Sequence, residues 1–362
     1  MISDQFLNWL CLKTCPELGN KQSIKLLETY PDPNDFVGNN EHAIYVSGLI
    51  SEKAAFHLSQ RILPPNTPQI LKLMEQYKIE WLNINEYPAQ LRNIFAPPII
   101  LYYRGDVAHL KAERTLAVVG TRKPGAYGKE MCKKLLAPLC RQKVNIISGL
   151  ALGIDTIAHK TALKEGSTSI AVLACGLENI YPSQNTELAK SITEHGVLIS
   201  EYEPGTKPDK WNFPARNRII SALADLVFIV EAPINSGAML TAKNALQQNR
   251  DLCALPGNIN SINSEGPNYL IKNGAALVSN SEDLQFLLGL SPEHAKQMEV
   301  SIILNADEQK LYDLLVNSHQ SLSFDEILLQ SGFSIGRLST MLTNLELKGI
   351  IAKEEGGIFF VV

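Results

Sequence analysis

Seven short runs constrain this chain more than any other feature. TLAVVG (115–120), NIISG (145–149), SIAVLA (169–174), GVLIS (196–200), DLVFIV (225–230), DLCAL (251–255) and AALVS (275–279) are apolar almost without interruption. A strand with one face in water alternates polar and apolar residues; a strand covered by helices on both faces does not. Between the runs, GAYGKEMCKKLLAPLCRQ (125–142) and IDTIAHKTALKEG (154–166) repeat their apolar residues at helical spacing. Strand and helix in alternation predict an α/β fold, a Rossmann-like, doubly wound and mainly parallel sheet.

At 362 residues the chain exceeds one ordinary core. Residues 1–62 read as a helical domain punctuated by Pro16, Gly19, Pro31, Pro33 and Gly48. PELGNKQSIKLLETY (16–30) has the turn and apolar spacing of a SAM-like or helix-hairpin-helix unit, but carries one glycine where such hairpins have two, so a plain helical packing module fits it better. Residues 63–290 then form the extended Rossmann-like domain and 291–304 a polar linker. Residues 305–362 give three helices and a hairpin around Gly356-Gly357, the winged-helix pattern, with Ser334–Leu347 as recognition helix. From Ser301 to Val362 there are eight acids against four bases, and that helix offers only Arg337 to a groove. Phosphate repulsion disfavours duplex reading, so a protein–protein or regulatory role is expected of it.

Composition closes off other classes. The formal charge of −4 gives no global attraction to nucleic acid or membrane, so any polyanion site must be a local cleft. The sequence has no run of 18 apolar residues and no signal-peptide pattern at its start. Its six cysteines (11, 15, 132, 140, 175, 253) form no CxxC pair and read as reduced thiols, with no disulfide frame, zinc site or other metal expected and a cytoplasmic location implied.

The first run breaks into GTRKPGAYGKE (120–130). A dinucleotide loop places a glycine where this one has Arg122, and a P-loop places a lysine where this one has Ala126. What is left is a glycine turn (Gly120, Thr121), two cations (Arg122, Lys123) and a helix N-terminus near Ala126. Alone, the loop reads equally as a structural turn with solvated cations.

The other strand ends tip the balance. Ligands of doubly wound sheets lie beyond the carboxyl ends of the strands. SGLALG (148–153), ACGLENIYP (174–182), SEYEPG (200–205) and EAPINSGAMLT (231–241) are rich in glycine and small polar residues there, and FPARNRIISALA (213–224) adds Arg216, Asn217 and Arg218. Phe213 and Tyr181 supply aromatic faces for bases. Small residues for backbone approach, arginines for phosphate and aromatics for bases suit a nucleic-acid single strand, though a nucleotide uses the same chemistry.

These segments, in this order, together with YPAQLRNIFAPPIILYYRG (87–105), ALPGNI (254–259) and GPNYLIKNGA (266–275), resemble the DprA/Smf family of DNA-processing proteins. The resemblance implies single-stranded DNA binding during natural transformation, protection of incoming DNA, loading of the RecA recombinase, and a homodimer through the α/β domain near residues 266–278. It implies no catalysis and no cofactor. By position it makes Arg122 the principal phosphate-binding arginine, with Arg216, Asn217 and Arg218 in the same pocket, Ser148, Gly149, Gly176, Ser236 and Gly237 giving backbone contacts, and Thr241 among the DNA-binding residues. Ser183, Gln184 and Leu152 stand where relatives often carry charge, so three or four phosphate contacts are expected, each adding roughly −0.7 to the slope of log K against log[salt].

Blander readings hold elsewhere. Asp155 and His159, four residues apart on one helix face, are expected to cap and brace that helix rather than form an acid–base pair. Glu201, Glu203 and Glu231 follow strand ends but have no nucleophile beside them in sequence, and Cys175 reads as a small buried residue. The rival function is a nucleotide hydrolase related to phosphoribohydrolases, against which Ala242, Lys243 and Asn244 stand where such enzymes carry a catalytic glutamate. A nucleotide sensor with the winged helix as output is a third possibility.

Overall fold

The computed structural model describes residues 4–39, 48–112, 114–290, 305–318, 322–347, 351–354 and 358–361. They fall into two compact units, Met1–Leu290 and Ser291–Val362.

In the first unit all seven apolar runs become strands: β3 (Thr115–Val119), β4 (Asn145–Ser148), β5 (Ser169–Val172), β6 (Gly196–Ser200), β7 (Leu226–Ile229), β8 (Asp251–Ala254) and β9 (Ala276–Leu277). Two strands outside the runs, β1 (Glu80–Asn83) and β2 (Ile100–Gly105), complete a sheet of order β1-β2-β6-β5-β4-β3-β7-β8-β9. β3 to β9 pair in parallel, while β2 joins β6 and β1 joins β2 antiparallel. β3 shows why the runs are unbroken. Its Leu116 and Val118 enter one core and its Ala117 and Val119 the other, so both pleat faces are dry.

One face is covered by α6 (Ala126–Arg141), α7 (Ile154–Lys164) and α12 (Ser281–Leu287) through residues such as Leu135, Leu139, Ala158 and Leu284. The other core takes in Ile219 and Ile220 of α9 (Asn212–Ala222) and Ala238, Ala242 and Ala245 of α10 (Gly237–Gln247). The same core continues into the N-terminal helices α1 (Asp4–Thr14), α2 (Asn20–Thr29), α3 (Glu52–Ser59) and α4 (Thr67–Tyr77). Phe6 of α1 stacks 5.3 Å from Trp81 of β1 and 6.3 Å from Tyr102 of β2, so helices and sheet share one interior. Helices α5 (Ala89–Arg92), α8 (Thr186–His195) and α11 (Glu265–Lys272) fill the remaining connections.

The second unit has α13 (Ala306–Asn317), α14 (Phe324–Ser331) and α15 (Ile335–Leu347) over a sheet of order β10-β12-β11, made of β10 (Leu322–Ser323), β11 (Ile351–Glu354) and β12 (Ile358–Val361). This is the winged-helix arrangement, with β10 as a strand too short to announce itself in the sequence. Gly356-Gly357 and the linker 291–304 lie outside the described residues. Arg337 of α15 is ion-paired with Asp307 and lies 5.7 Å from the Phe333 ring.

Candidate nucleic-acid interface

The chain builds outward from β3 to β6, then crosses back to lay β7 on the other side of β3. The loops leaving β3 and β7 therefore diverge, and a crevice opens between them beyond the strand ends. A cleft of ≈ 470 Å³ occupies it, lined by Gly120, Thr121, Arg122 and Lys123 from the first loop, Pro233, Ser236, Gly237 and Ala238 from the second, and Phe213, Arg216 and Asn217 from α9. Ala151, Asp155 and Asn263 complete the wall.

Four helices, α6, α7, α9 and α10, begin near this cleft, and each N-terminus carries backbone N–H groups with partial positive charge. One such place, and the loop ahead of another, is already occupied. Glu231, buried just after β7, accepts from Gly125 N–H at 2.8 Å and Gly128 N–H at 3.2 Å, capping α6 with a carboxylate. The N-terminus of α6, which the sequence reading offered to phosphate, is thus filled from within. Asp155, also buried, accepts from Gly149 N–H at 3.1 Å and Ala151 N–H at 3.3 Å in the loop ahead of α7. Burial raises its carboxyl above the usual range, against the lowering effect of the Arg216 charge and these N–H groups. The start of α10 differs. Ser236 is its N-cap but gives no side-chain cap, and the buried Ser236 hydroxyl has no hydrogen-bond partner. Space beside the Gly237 Cα is open.

The arginines divide in the same way. Arg122 and Lys123 are exposed and enter no ion pair among the described residues. The Arg122 guanidinium sits 5.4 Å from the Phe213 ring, which in turn meets the half-exposed Tyr181 ring at 5.8 Å. Arg216 borders the cleft but is turned inward: its guanidinium donates to the carbonyls of Gly149, at 2.8 Å, and Val172, and to Asn217 Oδ1 at 3.1 Å. A β-carbon on Gly149 would lie 2.5 Å from that guanidinium, which explains the glycine. Arg218 leaves the cleft altogether. Two residues on from Arg216, it points to the opposite side of α9, where it pairs with Glu201 and donates to the Ala96 carbonyl at 3.1 Å.

Other residues singled out in the sequence also prove engaged. The buried Ser148 hydroxyl donates to the Val118 carbonyl at 2.7 Å. Gly176 is buried and its N–H donates to the Thr206 carbonyl at 2.9 Å. Thr241 is fully buried and its hydroxyl faces the Gly237 carbonyl of its own helix. Thr121 N–H donates to the Glu231 carbonyl at 2.6 Å, and Asn217 Nδ2 to the Gly237 carbonyl at 3.2 Å. His159 is a core residue, accepting from Leu150 N–H at 3.3 Å through Nε2 and lying 2.6 Å from the Ser169 hydroxyl through Nδ1. Cys175 is buried, donates to the Asn179 carbonyl at 3.0 Å, and is pushed up to about 12, chiefly by burial. Asn263, unnoticed in the sequence, reaches across from the loop after β8 and donates to the Lys123 carbonyl at 3.2 Å.

Fold and cleft together define a Rossmann-like α/β protein carrying a winged helix. Within that class the chain belongs to the DprA/Smf family of DNA-processing proteins. Residues 78–288 match the family model for DNA recombination-mediator protein A, and residues 296–357 match the DprA winged helix domain. DNA processing protein DprA of Bacillus subtilis is 40% identical over 222 residues, covering 61% of this chain and 75% of that one. The crystal structure of DprA from Streptococcus pneumoniae superposes with a TM-score of 0.68 at 33% identity, over 77% of this chain and 97% of the other. A structure of the Helicobacter pylori protein, described for its single-stranded DNA binding mode, gives 0.54 at 34% identity over 59% of this chain and 96% of that one.

Proposed function

We propose that the cleft between the β3 and β7 loops binds the backbone of single-stranded DNA, as the Helicobacter pylori relative binds a single strand. The observation that carries this reading is a pairing within one cleft. The N-terminus of α10, without a side-chain cap, opens onto the same cleft as Arg122 and Lys123, two lining cations that enter no ion pair among the described residues. A phosphate there gains helix N–H groups, the Ser236 hydroxyl and a guanidinium fork. Phe213 and Tyr181 give adjoining bases a stacking surface with no sequence preference. The buried arginine and Ser148, Gly149 and Gly176 serve to hold the loops in this shape.

The relevant test is fluorescence anisotropy with labelled oligonucleotides. Single strands bind well above duplex, and Arg122→Ala weakens binding by about 1–3 kcal/mol. With Arg216 and Arg218 internally engaged, two cationic contacts are left, so log K falls with log[salt] at about −1.4 rather than the steeper slope four contacts would give. Equal affinity for duplex, or indifference to Arg122, would sink the reading.

Membership of the family further supports loading of RecA onto the bound strand, without catalysis by this chain, and action in the cytoplasm during transformation. Glu231, a carboxylate beside the phosphate loop, is committed to N–H groups at the start of α6, which argues against a hydrolase built on it. A homodimer is read at the sheet edge near residues 266–278, where β9 is the terminal strand and Tyr269 and Leu277 are exposed. Arg337, the recognition helix's cation, is paired with Asp307, which favours a protein-binding winged helix over a duplex-binding one.

A further inference from the structure

The strand cleft is braced from a part of the chain that does not touch it. Lys13 ends α1, with its side chain only 15% exposed. Its ammonium is 2.7 Å from Glu203 Oε1, donates to the Glu201 carbonyl at 2.6 Å and lies 5.1 Å from the Tyr102 ring. One cation thus holds both the main chain and a carboxylate of the segment leaving β6. The far side of that segment is fastened to α9. Glu201 pairs with Arg218, both 17% exposed, and the Tyr202 hydroxyl donates to the Asn212 carbonyl at 3.4 Å. Asn212 and Phe213 open α9, and Phe213 is the ring against which the Arg122 guanidinium rests. Three residues in a row, 201 to 203, therefore connect α1 on one side with the helix that carries the base platform on the other.

We infer that Lys13 is a positioning residue for the strand cleft: by fixing residues 201–203 it sets the seat of α9, and through Phe213 the direction of Arg122. The inference rests on the single-strand reading above. It gives the N-terminal helices a part in binding, since no other basic side chain of α1 to α4 is paired with a carboxylate of the 201–203 segment among the described residues. Removal of Lys13 leaves Glu203 partly buried without its cation, and the segment free to move from α9.

The experiment uses the full chain and labelled oligothymidylate in anisotropy titrations, alongside thermal melting. The variants are Lys13→Met, Lys13→Arg, Lys13→Met with Glu203→Gln, Arg122→Ala, and Lys13→Met with Arg122→Ala. Lys13→Met weakens binding about fivefold or more in the native background, yet changes it less than twofold once Arg122 is gone, the non-additivity expected of residues acting through one contact. Lys13→Arg retains most of the affinity. The double change with Glu203→Gln removes the stranded carboxylate and recovers melting temperature, while affinity stays low; this variant carries the test where Lys13→Met fails to fold. Unchanged affinity in a folded Lys13→Met protein, or losses that simply add to those of Arg122→Ala, would overturn the inference. Failure of the native chain to bind, or indifference to Arg122→Ala, removes the single-strand reading and the inference together, and is told apart by the Arg122 arm.

Discussion

The residues that build the site work mostly out of contact with solvent. Burial, reinforced by the Arg216 charge, lowers His159 from 6.5 to about 3. Between those values the unfolded chain takes up a proton that the folded core refuses, so this histidine's contribution is full above pH 6.5 and is lost as pH falls. At pH 5 that loss amounts to about 2 kcal/mol. Urea unfolding at pH 7.5 and pH 5 checks it: the native protein loses that much more stability than His159→Gln over the same interval. Gly149 poses a steric question rather than an electrostatic one. In Gly149→Ala the new methyl meets the Arg216 guanidinium within 2.5 Å. The buried arginine cannot swing away without giving up two carbonyls, so we expect a loss of about 1–3 kcal/mol in stability. Denaturant midpoints read it directly, and an unchanged midpoint contradicts the packing described.

At the scale of elements, the loop 120–130 is held by a carboxylate, Glu231, that follows β7. Glu231→Gln keeps the size of the side chain but takes the charge from the start of α6. The expected cost is about 1–3 kcal/mol, seen as a lower melting temperature that does not depend on added DNA. The contrast between what was legible here and what was not has a physical basis. Strands β3 to β7 were written in the sequence because burial on both faces demands unbroken apolar runs, and β8 nearly so, whereas the edge strand β9 is apolar though Leu277 is half exposed. β1, half-exposed, and the two-residue β10 write no such run. Gly120, Arg122, Lys123, Ser236 and Gly237 stood out because glycine and cation at a strand end are local signals. The sequence reading put Arg216, Asn217 and Arg218 in one pocket; residues two apart on a helix face different ways, and Arg218 lies outside the cleft. Glu231 and Gly125 meet across 106 residues, and no local pattern reports a contact of that range.

For the whole molecule, the division into Met1–Leu290 and Ser291–Val362 puts the proposed strand cleft and the proposed dimer edge in the first unit. A charge placed on that edge tests the assembly without touching the cleft. Tyr269→Asp with Leu277→Asp is expected to shift the mass in light scattering from dimer to monomer, with the melting temperature changed by only a few degrees. A dimer that survives both substitutions places the interface elsewhere.

On the proposed reading, the two internal carboxylates also bear on which anions the cleft accepts. A free dinucleotide or triphosphate presents several linked phosphates at once and needs several anion seats close together. Here Glu231 holds one seat and Asp155 another, so a compact polyphosphate meets negative charge wherever it extends beyond the start of α10. A nucleic-acid strand asks for less in any one place, because its phosphates are spaced by sugars and its remaining hold comes from stacked bases. On the proposed reading, a carboxylate already seated at the start of α6 and another in the loop ahead of α7 favour a long strand over the compact polyphosphate ligands common to this fold.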